Sequence, residues 1–124
     1  MKAIDLKALF KALGDETRVR CLVLMHLEGE LCVCELGYAL GEAQPKISKH
    51  LGVLRKLGIV LDRRENQWVY YSLHHNLPEW AGTIISGAAQ AAEEMDLFKD
   101  DCKRLAAMPD RPARCSGEDS EKCG

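Results

Sequence analysis

Residues 32–57, CVCELGYALGEAQPKISKHLGVLRKL, decide the fold of this chain. Their apolar residues recur at helical spacing in two segments, one over about residues 32–40 and one that begins near Pro45. Proline is tolerated in the first turn of a helix, where its missing N–H has no intrahelical partner. Only three or four residues connect the two segments. This short connection predicts a helix-turn-helix.

The flanking segments predict three further helices and a hairpin. After Gly58 the apolar period changes from helical to alternating, and β-branched and aromatic residues on both sides of a Glu65-Asn66 turn indicate a two-stranded hairpin. The predicted fold is mainly α (α+β): a winged helix-turn-helix with four helices, a β-hairpin wing and a C-terminal helix. The flanking helices are predicted over about residues 4–13, 15–29 (with Asp15 as N-cap) and 79–107, and the strands over 59–64 and 67–73.

Length and composition predict one domain with a short tail. A chain of 124 residues is typical of a single compact domain. We predict one winged helix-turn-helix domain over residues 1–108 and a flexible tail over 109–124, where proline, glycine, serine and charged residues dominate. Because the chain contains neither an 18-residue apolar run nor the apolar core of a signal peptide, we expect a cytoplasmic protein with no membrane partner.

The charge distribution favours a nucleic-acid partner. The whole chain carries a net charge of −2, but residues 44–78 hold six basic and two acidic side chains. Phosphate contacts are screened beyond about 8–10 Å, so a basic block can bind DNA within an acidic protein. The N-terminal part of the second helix of a helix-turn-helix meets the base edges. The predicted DNA contacts are Gln44, Lys46, Ser48, Lys49 and His50 of this helix, and Arg63, Arg64 and Gln67 of the hairpin.

These assignments have alternatives. Taken singly, each of these residues fits an ordinary exposed polar side chain better; taken together, on one surface after a short turn, they favour a contact with the DNA groove. His50 in particular also fits a residue that caps a helix or packs beside Tyr70.

The pair Cys32-Val33-Cys34 is the strongest chemical signal in the chain. Six cysteines in a reducing compartment favour metal, metalloid or redox chemistry over disulfides. On a regular helix, side chains two residues apart point about 200° apart, whereas in an extended segment they lie on the same side. We therefore expect that an ion captured by both sulfurs distorts the first turn of the third helix. The alternative is a pair of small buried hydrophobic residues.

The donor set limits the choice of ion. Soft thiolates disfavour Mg²⁺, Ca²⁺ and Mn²⁺, and the C-x-x-C spacing of structural zinc sites is missing from the sequence. Three-coordinate As(III) or Sb(III) suits two neighbouring sulfurs plus a third sulfur or a retained hydroxide. Cys21, in the middle of a helix, is predicted to be a core residue. The candidate third ligands are Cys102, Cys115 and Cys123.

Residues 4–107 resemble the ArsR/SmtB family of winged-helix metalloregulatory repressors, in its arsenite-responsive branch. The resemblance implies that Cys32 and Cys34 bind As(III) or Sb(III), that binding releases operator DNA, and that the protein is a homodimer built from its first and last helices. The segments that carry the resemblance are LFKALGDETR (9–18), ELCVCEL (30–36), QPKISKHL (44–51), DRR (62–64) and WVYY (68–71).

The chain departs from the family pattern at two points. Gly37 occupies a position where the arsenite-type motif often carries a third cysteine, and the last predicted helix has no histidine for the family's zinc site. We therefore expect that Cys32 and Cys34 suffice for the response, with another cysteine as an optional third ligand, and that the family's zinc site is absent. A sensor of another thiophilic ion (Cd, Pb or Zn) with the same mode of DNA binding is the alternative function. A redox enzyme such as an arsenate reductase is disfavoured, because no phosphate-cradling loop follows a strand and no parallel-sheet pattern is present. We expect no enzymatic activity.

Overall fold

The computed structural model describes residues 4–112 as a mainly α winged helix-turn-helix, as predicted. The helix-turn-helix consists of the third and fourth helices, and the hairpin follows it directly. In chain order the elements are α1 (Leu6–Leu13), α2 (Glu16–Glu28), β1 (Glu30–Cys32), α3 (Val33–Leu40), α4 (Gln44–Lys56), β2 (Val60–Glu65), β3 (Trp68–Leu73), α5 (Glu79–Ala92) and α6 (Asp96–Ala106).

Local sequence signals account for the helix ends around this motif. The Asp15 carboxylate accepts a hydrogen bond from the Arg18 N–H at 3.2 Å, which confirms Asp15 as the N-cap of α2. Gly41 ends α3 with φ +69°, a left-handed conformation that glycine adopts without steric cost. Pro45 lies in the first turn of α4. The turn between α3 and α4 therefore has the length that the sequence predicts.

The sheet has a third strand that the sequence analysis missed. β1 pairs antiparallel with β3, so that the strand order is β1-β3-β2 and Cys32 lies opposite Tyr70. β1 is only three residues long, which is too short for an alternating pattern to be recognised. The prediction that the third helix begins at Cys32 is therefore wrong, because Cys32 is the last residue of a strand.

The prediction of a single helix over residues 79–107 is also wrong, because the structure has two helices in this range. The chain turns at Met95, whose backbone is extended (φ −109°, ψ 126°), between α5 and α6. The turn lets α5 pack mainly on α2 and α6 mainly on α3. Since residues 93–95 are Glu-Glu-Met, no glycine or proline marks this break in the sequence.

The core lies where α2, α3, α4 and the sheet meet. The apolar residues Ile47, Leu51 and Leu54 of α4 are completely buried. On α2, Leu22 and Val23 are buried, whereas Leu27 is 47% exposed. Burial of one face of α4 leaves its polar face toward solvent.

Two arginines paired with the buried Asp101 hold α2 and α6 against the C-terminal end of α3 through hydrogen bonds to its carbonyls. The Arg20 guanidinium forms a salt bridge with Asp101 at 2.7 Å and donates to the Leu40 carbonyl at 3.1 Å. Arg104 also pairs with Asp101 and donates to the Ala39 carbonyl at 2.6 Å. These contacts satisfy carbonyls that a helix end leaves without partners. They hold the helix on which the position of α4 depends.

We expect Asp101→Ala to lower the free energy of unfolding by about 3 kcal/mol, because it leaves the buried Arg20 charge without its partner. Urea denaturation followed by circular dichroism measures the change. Asp100→Ala, at an exposed neighbouring position, is the matched control and should change the stability by less than about 0.5 kcal/mol. Equal stabilities for the two variants would contradict this account of α6.

Candidate functional site

Cys32 and Cys34 lie side by side at the junction between β1 and α3. Cys32 is the N-cap of α3 with an extended backbone (φ −88°, ψ 167°), and Cys34 lies in the first helical turn. Both cysteines line one cavity, and the neighbouring Cys34 thiol contributes to raising the pKa of Cys32. The expectation that a helix holds the sulfurs apart is wrong, because only Cys34 is helical.

A capping box fixes the position of Cys32. The Cys32 N–H donates to Glu35 Oε1 at 2.9 Å, and the Glu35 N–H donates to the Cys32 sulfur. In such a box two N–H groups at the start of a helix are satisfied reciprocally. Glu35 is completely buried, so the surrounding residues restrict the movement of its carboxylate. Cys32 therefore serves both as the end of a helix and as a candidate ligand.

Burial keeps the Cys32 thiol protonated in the free protein. Burial is the main cause that raises its pKa far above the ordinary range, and the neighbouring Cys34 thiol raises it further. The Glu35 N–H lowers the pKa of Cys32, whereas the negative charge of Glu35 raises it. Any ligand that Cys32 binds must therefore displace a proton or provide a group that accepts one.

The polar face of α4 is exposed as predicted. Gln44, Lys46, Ser48 and Lys49 all lie on the solvent side. Lys46 forms an exposed salt bridge with Glu42 at 3.1 Å, and a pair of this kind contributes little. The residues predicted to contact DNA along this helix are thus accessible together, with one exception.

The exception is His50, which points toward the start of α2. Its Nε2 lies 3.9 Å from Asp15 Oδ1, and its side chain is only 16% exposed. Burial acts to raise the pKa of Asp15, but the Arg18 N–H and the charge of His50 outweigh it, so the pKa lies below its usual value. Of the roles predicted for His50, this geometry favours a contact with a helix cap.

The wing presents Arg64 and Gln67 to solvent and ties Arg63 to its own sheet. The Arg63 guanidinium pairs with Glu30 at 2.7 Å and with Glu65, and it lies 5.0 Å above the centre of the Tyr70 ring. Arg63 therefore joins the wing to β1, the strand that ends at Cys32. The sequence analysis missed the role of Glu30, since nothing local pairs it with a residue of the wing.

One cavity brings the cysteine pair together with both predicted DNA-binding elements. It has a volume of about 290 Å³ and is bordered by Cys32 and Cys34, by Gln44 and Ser48 of α4, and by Gln67 of the wing. Trp68 and Val69 also line it. Whatever the two sulfurs bind will therefore lie between the start of α4 and the wing.

The other cysteines lie away from this cavity or outside the described residues. Cys21 is completely buried, and burial raises its pKa to about 12, in agreement with a core residue. Cys102 is half-buried on α6 and lines a separate cavity with Val23 and Phe98. Cys115 and Cys123, like most of the predicted tail, lie outside residues 4–112. Within that range, no cluster of three or more histidine, cysteine or acidic side chains is suited to hold a metal ion.

The fold and the exposed face of α4 define a winged-helix regulator of the DNA-binding type. A model described as bacterial regulatory protein, arsR family, matches residues 15–61. The chain is 50% identical over 103 residues to the arsenic resistance transcriptional regulator ArsR1 of Pseudomonas putida, covering 83% of this chain and 79% of the relative. It is 42% identical over 117 residues to the arsenical resistance operon repressor of Escherichia coli, covering 93% and 92% of the two chains. The chain therefore belongs to the arsR family of bacterial regulatory proteins.

Solved structures agree with this assignment. HlyU from Vibrio cholerae superimposes with a TM-score of 0.62 at 32% identity, over 70% of this chain and 90% of that one. The AntR antimony-specific transcriptional repressor does so with a TM-score of 0.59 at 26% identity, over 71% and 77%. The predicted family and fold class are thus confirmed. No helix in the described part of the chain has the length and apolar character needed to cross a membrane.

Proposed function

We propose that this protein is a metalloid-responsive transcriptional repressor, which binds operator DNA as a homodimer and releases it when As(III) or Sb(III) binds Cys32 and Cys34. The cavity shared by the cysteine pair, Gln44, Ser48 and Gln67 carries the proposal. A ligand on the sulfurs occupies the space between the two elements that must contact DNA together. The arsenic-regulator relatives and the antimony repressor support the choice of ligand.

The chemistry of capture suits protonated thiols. Neutral As(OH)₃ condenses with two thiols: two As–S bonds form, two As–OH bonds break, and each departing hydroxide takes a thiol proton and leaves as water. The third position keeps its hydroxide, or it bonds to the sulfur of Cys102, Cys115 or Cys123 while the hydroxide takes that thiol's proton and leaves as a third water. Because no free thiolate is needed beforehand, the raised pKa of Cys32 does not oppose the reaction.

Capture also acts on the start of α3. The Cys32 sulfur that forms the new bond is the same atom that accepts the Glu35 N–H. A covalent As–S bond competes with this hydrogen bond, and the capping box that begins α3 is weakened. We infer that the β1–α3 junction is the two-state element, and that its movement displaces α4 from the operator.

The first test is release of a fluorescent operator duplex, obtained by selection from random DNA, during titration with As(III). We expect the wild-type protein to dissociate at micromolar As(III), whereas Cys32→Ser/Cys34→Ser stays bound because both sulfurs are lost. Release by the double variant would contradict the proposal.

Single serine variants at Cys102, Cys115 and Cys123 identify the third ligand in the same titration. The variant that needs more As(III) for release has lost that ligand. Unchanged titrations for all three indicate a retained hydroxide.

A pH series separates the metalloid from the alternative ligands Cd, Pb and Zn. Capture of As(OH)₃ releases no proton, whereas a divalent cation displaces one proton from each protonated thiol, which costs about tenfold in affinity per proton for each pH unit lowered. We expect the As(III) concentration for half-release to change by less than about threefold between pH 6.5 and 8.0, and that for Cd(II) to fall at least about tenfold. A steep pH dependence for As(III) would contradict capture by condensation.

For DNA binding, we propose that Gln44 and Ser48 contact base edges and that Lys46, Lys49 and Arg64 contact phosphates, while Gln67 lies at the groove beside the wing. Arg63 is held by Glu30 and Glu65, so we assign it to the shape of the wing. We assign His50, beside Asp15, to the position of α4 against α2. A side chain that donates to a phosphate adds affinity for every sequence, and one that contacts a base edge adds discrimination.

Lys49→Ala should weaken operator binding and reduce the slope of log affinity against log salt by about 1 for each protomer. Gln44→Ala should instead reduce the preference for operator over random DNA, with a loss of about 1–3 kcal/mol for each bidentate base contact. Lys103→Ala, an exposed lysine on α6, is the matched control and should change neither quantity. Salt-dependent anisotropy titrations measure both. An unchanged salt slope for Lys49→Ala would exclude its phosphate contact.

For the homodimer, we propose an interface built from α1 and α5. Leu6 and Phe10 are each 54% exposed, and Leu6 borders a surface groove with Trp80 and Ile84 of α5. Exposed apolar patches of this kind mark interaction sites. The predicted last helix contributes through its first half, α5.

Trp80→Glu should convert the dimer into a monomer at micromolar concentration, because it places a charge in the apolar interface. Sedimentation velocity measures the mass. Met95→Glu, an exposed apolar position at the turn between α5 and α6, is the matched control and should stay dimeric. The opposite pattern would place the interface at the α5–α6 turn.

A further inference from the structure

A single carboxylate connects the cysteine pair to the segment that follows α6. Glu35 Oε1 accepts the Cys32 N–H at 2.9 Å, and Glu35 Oε2 accepts the Nε–H of Arg111. Arg111 thus contacts the same side chain that holds Cys32 in place, although it lies 76 residues away along the chain. The described part of the predicted tail is anchored at this point.

Arg111 reaches a second buried carboxylate as well. Its terminal nitrogen lies 3.0 Å from Glu28 Oε1, and the side chains of Glu28 and Glu35 are 2% and 0% exposed. The other Glu28 oxygen has no hydrogen-bond partner among the described residues. Two buried carboxylates need a cation between them, because an unpaired buried charge is strongly destabilising. The planar guanidinium can donate to both at once.

The two carboxylates flank the strand that ends at Cys32. Glu28 is the last residue of α2 and Glu35 lies in the first turn of α3, with β1 and Cys32 between them. Arg111 therefore bridges both ends of the segment that presents the Cys32 sulfur. We propose that Arg111 is a positioning residue of the inducer site: through Glu28 and Glu35 it holds β1 and α3 so that both sulfurs meet one metalloid. The proposal rests on the proposed function only in taking Cys32 and Cys34 as the inducer site.

Arg104, on α6, offers a matched comparison. It pairs with Asp101 of its own helix and donates to the Ala39 carbonyl at the opposite end of α3. Loss of either arginine removes a contact between α3 and the C-terminal part of the chain, which is an ion pair with Glu35 for Arg111 and a hydrogen bond to a carbonyl for Arg104. Only Arg111 does so beside the cysteine pair.

Binding of phenylarsine oxide, an arsenical that bridges two thiols, tests whether both sulfurs are in position and requires no operator. We expect Arg111→Gln to bind it about 10-fold more weakly, the loss typical of residues that orient metal ligands. Alkylation of Cys34 by iodoacetamide, followed by mass spectrometry, should keep its wild-type rate, because it needs one sulfur only. Arg111→Lys should restore part of the affinity, since an ammonium supplies the charge without the planar fork.

The controls define what would overturn the proposal. Wild-type affinity for phenylarsine oxide in Arg111→Gln would overturn the proposal. An equal loss of affinity in Arg104→Gln would also overturn it, because it would indicate that α3 is loosened as a whole. In a Glu35→Gln background, the effect of Arg111→Gln should shrink, because the two residues act in one chain of contacts; full additivity would contradict this. Tight probe binding by a wild-type protein that keeps its operator would contradict the proposed function alone.

Discussion

The capping box between Cys32 and Glu35 is the interaction on which the arrangement of this protein depends. It marks the residue where an extended strand becomes a helix, and each backbone N–H at that point is satisfied by the other residue's side chain. Pairing of Cys32 with Tyr70 fixes the strand side of the junction, and burial of Glu35 fixes the helix side. The direction of α3, and with it the position of α4, follows from this junction.

The same junction connects the elements that regulation requires. Arg63 joins the wing to β1 through Glu30, and Arg111 joins the segment after α6 to Glu35. The opposite end of α3 is held by Arg20 and Arg104. A helix fastened at both ends moves as a unit when one end is disturbed, since packed interiors transmit displacement better than they absorb it. Under the proposed function, a ligand at the two sulfurs acts on the predicted DNA-binding surface through this helix.

The surroundings of the sulfurs also bear on which ligand they select. Burial and the nearby Glu35 charge disfavour the thiolate form of Cys32. A cation must displace the protons against that preference, whereas a neutral hydroxide of arsenic or antimony removes them as water. Selectivity can thus come from the protonation state of the free site as well as from the number of sulfurs. This offers a physical reason why a site with Gly37 in place of a further cysteine can still respond to a metalloid.

The helix-turn-helix, the hairpin and the buried face of α4 could be predicted from the sequence alone, which also singles out the cysteine pair as a candidate site. Each of these leaves a local trace: a period of apolar residues, a capping aspartate, a proline in a first turn, or two thiols one residue apart. The other features depend on contacts between segments that are distant in the sequence. Strand β1 exists because β3 lies beside it, and the break between α5 and α6 exists because α2 and α3 offer separate surfaces. The contacts of Glu30 with Arg63 and of Glu35 with Arg111 join residues 33 and 76 positions apart. The period of the apolar residues predicts which side of a helix or strand is buried. It cannot predict the partner of a buried charge, because that partner comes from a segment distant in the sequence.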